Sequence, residues 1–271
     1  TIIFLANLAT KIALFHSAQS YLRFLVESSN QYRVHSPFVY DFLTVGLKEK
    51  IGDADMNTLR NLRKALKADK SRIRVEDFGA GSRKFKNSER RVSEIAKTAG
   101  ISWSRSKKLY KTVKHFKPQN ILEFGTSLGM ATAAISLAAP EAKIDTLEGC
   151  PQTAGIAKSM FDKFQMNNVE VHIGQFNSTL PNLLKKNSYD LVFFDGNHQK
   201  EATLNYFLMC LEAAHENSIF IFDDIHWSPE MEEAWSEIRE NEKVTLSIDT
   251  FQWGLVFFHP GREKEHFVLR I

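Results

Sequence analysis

The segment Ile121-Leu-Glu-Phe-Gly-Thr-Ser-Leu-Gly129 joins a short apolar run to a turn that contains two glycines. A short apolar run before a glycine turn predicts a buried strand. Gly125 permits a tight turn after that strand, and Gly129 allows the following helix to pack close to it. The segment therefore predicts the first strand-turn-helix unit of an α/β sheet.

Further apolar runs follow, and most are separated by stretches with helical spacing. This alternation is typical of a parallel, doubly wound sheet. The last two runs lack a long helical stretch between them and so predict an antiparallel hairpin. We therefore predict an α/β, Rossmann-like, mostly parallel sheet of seven strands with a C-terminal hairpin. The predicted strands span residues 121–124, 144–147, 169–173, 191–194, 219–222, 244–248 and 254–258.

The region before residue 118 has mainly helical patterns. Ser36-Pro37 predicts a helix start, Ser88 predicts the cap of a helix that ends near Gly100, and another helix is predicted over 102–117. The glycine-rich segment 77–82 is interpreted as a lid over the site. We divide the chain into a helical N-terminal extension, residues 1–104, and a sheet domain, residues 105–271.

Charge is distributed unevenly along the chain. Residues 1–118 contain 24 Lys and Arg against 10 Asp and Glu, a net +14, whereas residues 119–271 contain 11 against 22, a net −11. A basic half can hold an anionic substrate or nucleic acid, and the two halves can equally attract each other.

The composition, 43% hydrophobic and 25% charged, is typical of a globular protein. The two cysteines, Cys150 and Cys210, are far apart and lie in no metal-binding pattern, which argues against a disulfide framework and fits the cytoplasm. The apolar start is interrupted by Lys11 and is shorter than the about 20 residues that a membrane span needs.

The ends of the first three predicted strands indicate a cofactor site, because ligands of open α/β sheets bind beyond the carboxyl ends of the strands. Glu123 can accept a hydrogen bond from a cofactor amino group, and Glu148, 19 residues after Gly129, can hold both hydroxyls of a ribose. The glycine spacing differs from that of dinucleotide sites, so a nicotinamide-dependent dehydrogenase is the second choice. The predicted cofactor contacts are Glu123, Gly125, Thr126, Ser127, Gly129, Glu148, Gly149, Gln175, Phe176 and Asp195, with Gln175 and Phe176 beside an adenine.

These motifs, with Tyr189-Asp-Leu-Val-Phe-Phe-Asp-Gly-Asn-His198 and Phe222-Asp-Asp224, resemble the class I methyltransferases over about residues 105–260. Among these, the chain is most similar to the small O-methyltransferases related to catechol O-methyltransferase. The resemblance implies S-adenosylmethionine as methyl donor and a small hydroxylated molecule as acceptor. It also implies that the N-terminal extension covers the active site.

Acidic residues follow the fourth and fifth predicted strands. In the resembling family the positions matching Asp195, Asp223 and Asp224 are two Asp and one Asn that bind a divalent cation, so the resemblance implies a Mg²⁺ site here. Asp224 departs from the family's amide. His198 stands where that family has a lysine base, and a histidine beside Asp195 can itself take the acceptor's proton, which opens a metal-free route. His226 and Trp227 can wall the acceptor pocket.

Three alternatives remain open. The basic N-terminal half can bind RNA, which would make the chain a tRNA methyltransferase. A non-catalytic S-adenosylmethionine-binding protein is the alternative outside enzymes. Apolar residues within 1–26 can also pair with a second copy in a homodimer. The sequence does not identify the acceptor, since specificity depends on pocket walls built from loops.

Overall fold

The computed structural model describes residues 2–76, 89–261 and 263–271, with side chains described from Phe15 onward. The segment 77–82 and Ser88 lie outside these residues. The helices are α1 Ile2–Glu27, α2 Pro37–Asp41, α3 Asp53–Ala68, α4 Val92–Thr98, α5 Trp103–Phe116, α6 Met130–Ala138, α7 Pro151–Lys163, α8 Phe176–Leu184, α9 Lys200–Glu212 and α10 Pro229–Glu240. The strands are β1 Arg72–Arg74, β2 Glu89–Arg91, β3 Asn120–Phe124, β4 Lys143–Glu148, β5 Val169–Ile173, β6 Leu191–Phe194, β7 Ile219–Asp223, β8 Leu246–Asp249, β9 Trp253–Phe257 and β10 Glu265–Val268.

The central sheet has eight strands in the order β10-β8-β9-β7-β6-β3-β4-β5. Strands β3 to β7 pair in parallel, and β9 runs antiparallel to both β7 and β8. The chain proceeds from β3 outward through β4 and β5, then returns to the other side of β3 with β6. The strand order therefore reverses between β3 and β6, where a ligand crevice is expected.

The predicted α/β class, parallel sheet and C-terminal hairpin are confirmed. The sheet has eight strands rather than seven, because β10 pairs with β8 at the edge. Its sequence, Glu-His-Phe-Val, is only partly buried and has no continuous apolar run, so periodicity alone did not reveal it. Helix α8, which contains Pro181, was also not predicted.

The N-terminal region packs directly on the sheet domain. One continuous buried cluster joins Val39, Leu62 and Leu109 with Ile121 and Phe193. A strand pair that the sequence did not reveal, β1 with β2, lies between α3 and α4, and α4 starts after β2 at Val92. In the described part of the chain, no helix combines the length and apolarity that crossing a bilayer requires.

Candidate active site

The turn after β3 brings two strand ends into close contact. Gly125 has φ +92°, and a Cβ atom at this position would lie 2.4 Å from the backbone oxygen of Asp195 at the end of β6. Its amide donates to the carbonyl of Leu147 in β4 at 2.9 Å. Only glycine fits this backbone conformation and this spacing without displacing β6.

A cleft of about 420 Å³ opens above this turn, at the reversal point of the sheet. Its volume is within the range of small-molecule sites. Eight of the predicted site residues line it: Gly125, Ser127, Glu148, Gly149, Gln175, Phe176, Asp195 and His198. The structure thus brings together residues from the ends of β3, β4, β5 and β6.

Glu148 is held in a fixed orientation inside the cleft. Its two carboxylate oxygens accept hydrogen bonds from the backbone amides of Ser127, at 2.8 Å, and Cys150, at 2.9 Å. A carboxylate oxygen can accept more than one hydrogen bond. The arrangement suits a group that presents two neighbouring hydroxyls.

Glu123 does not line the cleft. It is fully buried, and its Oε2 accepts from the hydroxyls of Thr132 at 2.5 Å and Thr146 at 2.6 Å. Its Oε1 has no hydrogen-bond partner among the described residues. Burial raises the pKa of Glu123 to about 7, against the effect of the two hydroxyl donors.

Two further predicted cofactor contacts also lie behind the cleft wall. Thr126 is buried and shares a 2.7 Å hydrogen bond with Thr146. A Cβ atom at Gly129 would lie 2.6 Å from the ring of Phe161 in α7. These positions therefore support the turn, whereas Gly125 and Ser127 line the cleft.

The acids after β6 and β7 converge as predicted, but they meet a cation that the sequence did not reveal. Arg105, in the first turn of α5, donates from Nη2 to Asp223 and, at 2.8 Å, to Asp224. Trp253 Nε1 donates to the same Oδ1 of Asp223 at 2.6 Å. Burial opposes the charge of Arg105, but the neighbouring acids outweigh it and raise its pKa.

The same acids can be tested as a metal site. Donor atoms of Asp195, His198 and Asp223 lie within 4.8 Å of one another. The predicted set of Asp195, Asp223 and Asp224 is different, because Arg105 already bridges two of its members. As these side chains are placed, a divalent cation does not fit that set.

His198 lines the cleft beside Asp195. Its Nε2 lies 3.8 Å from Asp195 Oδ1, which is beyond hydrogen-bond distance, and the imidazole is partly exposed. Burial and the nearby Asp223 raise the pKa of Asp195. The imidazole is thus placed where it can meet a substrate proton.

Of the two residues predicted to wall the acceptor pocket, Trp227 lines the cleft and His226 does not. Trp227 lines the cleft, together with Arg90 and Tyr206, which the sequence reasoning missed. His226 instead bonds to Glu232 at 2.7 Å and Asp249 at 2.9 Å. Tyr206 carried no signal in the sequence, because a lone tyrosine on a helix is ordinarily packed. Arg90 belongs to a basic stretch with Arg91, which the sequence relates to RNA phosphates and not to this cleft.

Comparisons with known proteins agree with this geometry. Residues 122–225 match the model of a methyltransferase-domain family. This matched segment runs from β3 to the end of β7 and includes most of the residues that line the cleft. No curated protein matches the sequence significantly.

Solved structures share the fold of this methyltransferase domain and its flanking elements. The Podospora anserina methyltransferase PaMTH1, bound to SAH, superposes with TM-score 0.58 at 17% identity, over 83% of this chain and 97% of that one. The O-methyltransferase TomG from Streptomyces achromogenes, in complex with SAM, gives 0.55 at 16% identity, over 85% and 99%. An O-methyltransferase from Bacillus cereus with SAH gives 0.53 at 17% identity, over 80% and 94%.

Proposed function

We propose that this chain transfers the methyl group of S-adenosylmethionine to a hydroxyl of a small molecule. The observation that carries the proposal is the cleft at the strand reversal, where Glu148 lies on one side and His198 on the other. A donor site and a proton acceptor therefore share one cavity within a methyltransferase domain.

The cleft residues suggest how the donor binds. Glu148 accepts the two ribose hydroxyls, while the adenine lies against Phe176 and hydrogen-bonds to Gln175. The close approach of backbone and ligand at Gly125 admits the methionine part of the cofactor. Charge complementarity supports this pose, since Arg90 lines the cleft and its guanidinium can pair with the carboxylate of the cofactor.

The chemistry follows from the position of His198. Methyl transfer is an in-line displacement in which the acceptor oxygen forms the new C–O bond as the C–S bond breaks. The sulfonium becomes the neutral thioether of S-adenosylhomocysteine. His198 takes the hydroxyl proton as the oxygen attacks, and the proton leaves to solvent from its partly exposed ring.

Cofactor binding is the first test. Calorimetric titration is expected to show S-adenosylmethionine binding by the unaltered protein and no binding of NAD. Glu148→Gln should weaken binding by roughly 10-fold or more, because charge-assisted hydrogen bonds to the ribose are lost. The matched control is Glu170→Gln, which alters an exposed acid on the neighbouring strand. Binding of NAD in place of S-adenosylmethionine would refute the proposed cofactor.

Acceptor chemistry is the second test. Incubation with labelled S-adenosylmethionine and a panel of phenols, catechols and aliphatic alcohols should yield labelled methyl ethers. Label found only on amines or thiols would refute O-methylation but not methyl transfer. Cofactor binding without any turnover on the panel would favour the non-catalytic alternative.

An RNA acceptor is the second candidate, supported by a basic groove on α3 and α5. The groove is lined by Arg60, Arg63, Lys64, Lys67 and Trp103. Arg60 lies 6.0 Å from the centre of the Trp103 ring, an arrangement that can also stack a base. Binding of mixed tRNA that weakens steeply with salt and is reduced by Lys64→Gln with Lys67→Gln would support it. The control alters Lys185 and Lys186 in the acidic half, and absence of binding at low salt would remove this candidate.

A further inference from the structure

We propose that Arg105 takes the place of a divalent cation at the strand ends, so that methyl transfer by this chain does not require added metal. The inference rests on the proposed function for its catalytic part. Its structural part concerns only the side chains around Asp223.

Arg105 contacts two acids at the end of β7. One guanidinium nitrogen donates to both Asp223 and Asp224, and the Arg105 side chain is only 16% exposed. Trp253 adds a second donor to Asp223 from the sheet side. One oxygen of Asp223 and one oxygen of Asp224 are thus already used by fixed donors.

Few side chains of the predicted site remain to bind a divalent cation. With Arg105 on Asp223 and Asp224, the set that remains is Asp195, His198 and a carboxylate oxygen of Asp223, whose donor atoms lie within 4.8 Å of one another. Mg²⁺ prefers several hard oxygen ligands in octahedral geometry, and in this set an imidazole replaces one of them. A cation at this position would also meet the fixed positive charge of Arg105.

Arg105 also changes the charge that surrounds the reacting oxygen. Two adjacent carboxylates near His198 would repel the negative charge that develops on the acceptor oxygen. Arg105 compensates that charge from α5, as a metal would from the cleft. Arg105 is therefore a positioning residue that sets the charge of the site, and it needs no contact with the acceptor.

Metal binding tests this assignment without any turnover. Mn²⁺ binding is followed by electron paramagnetic resonance for the unaltered protein, for the double variant Arg105→Gln with Asp224→Asn, and for Arg60→Gln as control. The double variant leaves the formal charge unchanged and removes the guanidinium that lies against the cluster of Asp195, His198 and Asp223. We expect Mn²⁺ to stay free with the unaltered protein and the control, and affinity to rise roughly 10-fold or more in the double variant.

Two results would overturn the proposal. One is stoichiometric Mn²⁺ binding by the unaltered protein that Asp195→Asn removes. The other is a double variant with native circular dichroism that gains no Mn²⁺ affinity. If the double variant does not fold, Arg105→Lys replaces it as the test variant. Mn²⁺ binding by the unaltered protein then decides whether the site holds a divalent cation.

Turnover provides a second test of metal independence. Turnover in EDTA is expected to equal turnover with Mg²⁺, and loss of turnover in EDTA restored by Mg²⁺ would refute metal independence. If no acceptor is methylated at all, the proposed function fails while the Mn²⁺ result still reports on Arg105.

Discussion

Gly125 and Asp195 approach so closely that a Cβ atom at residue 125 would lie 2.4 Å from the Asp195 backbone oxygen. The neighbouring strands β3 and β6 therefore meet at a point with no room for a side chain. Gly125 also has φ +92°, a conformation that disfavours other residues.

Gly125→Ala should consequently destabilise the fold by about 1–3 kcal/mol and weaken S-adenosylmethionine binding. Urea unfolding and calorimetry measure the two effects. The matched control is Gly155→Ala in α7, where a Cβ meets no atom within 4 Å and stability should rise by up to about 1 kcal/mol. Equal behaviour of the two variants would contradict the close-contact explanation.

Glu123 should make stability depend on pH. Its pKa is about 7 in the folded protein against 4.5 as its ordinary value, because burial disfavours the charged form. The folded state therefore holds the proton more tightly, and its stability falls as pH rises from about 4.5 to 7. Between pH 5 and pH 8, unfolding titrations should show that the free energy of unfolding falls less for Glu123→Gln than for the unaltered protein, by up to about 3 kcal/mol. An unchanged slope in this variant would show that Glu123 does not titrate there.

His198 should be required for turnover but not for cofactor binding. His198→Asn is expected to lower kcat by about 10²- to 10⁴-fold, since it removes the proton acceptor. Calorimetry should show unchanged S-adenosylmethionine affinity. His215→Asn, a change outside the cleft, is the control. Full activity of His198→Asn would assign the proton to another group.

The fold was predictable because the central strands are short and mainly apolar, as at Leu191–Phe194, and the glycine turn at Gly125 directly follows one of them. The cleft residues were predictable for the same reason, since strand ends in one sheet must meet. Arg105 was not, because the sequence predicts its helix but not the sheet edge against which that helix packs. The burial of Glu123 likewise depends on Thr132 and Thr146, which come from two other elements.

His226 should add a second pH dependence at higher pH. Burial lowers its pKa, but Asp249 and Glu232 outweigh burial and raise it to about 9. A histidine with a raised pKa stabilises the fold fully below about pH 6.5, and this contribution is lost as pH rises through 9. Thermal unfolding at pH 7 and 10 should therefore differ less in His226→Gln than in the unaltered protein. The exposed His35→Gln is the control and should leave the difference unchanged.

Helix α1 should mediate the homodimer that the sequence predicts. Phe15, Leu22 and Val26 are 73%, 64% and 87% exposed, and their spacing places them on one face of the helix. Light scattering should give the mass of a dimer, and Leu22→Glu with Val26→Glu should give that of a monomer. Tyr32→Glu, an exposed aromatic outside α1, controls for the added charge. A monomeric unaltered protein would end this prediction.

The ion pair between Arg105 and the acids of β7 bears on where the catalytic unit begins. Ser102 caps α5 by accepting from the amide of Arg105, so the cap and the guanidinium belong to one helical turn. A fragment that starts at β3 would keep every strand of the central sheet. It would nonetheless lack α5, and Asp223 and Asp224 would lose the positive charge of Arg105 that pairs with them. The smallest autonomous version of this protein therefore includes α5 and its cap, because a boundary at residue 105 keeps the guanidinium but separates it from the Ser102 cap that begins its helix.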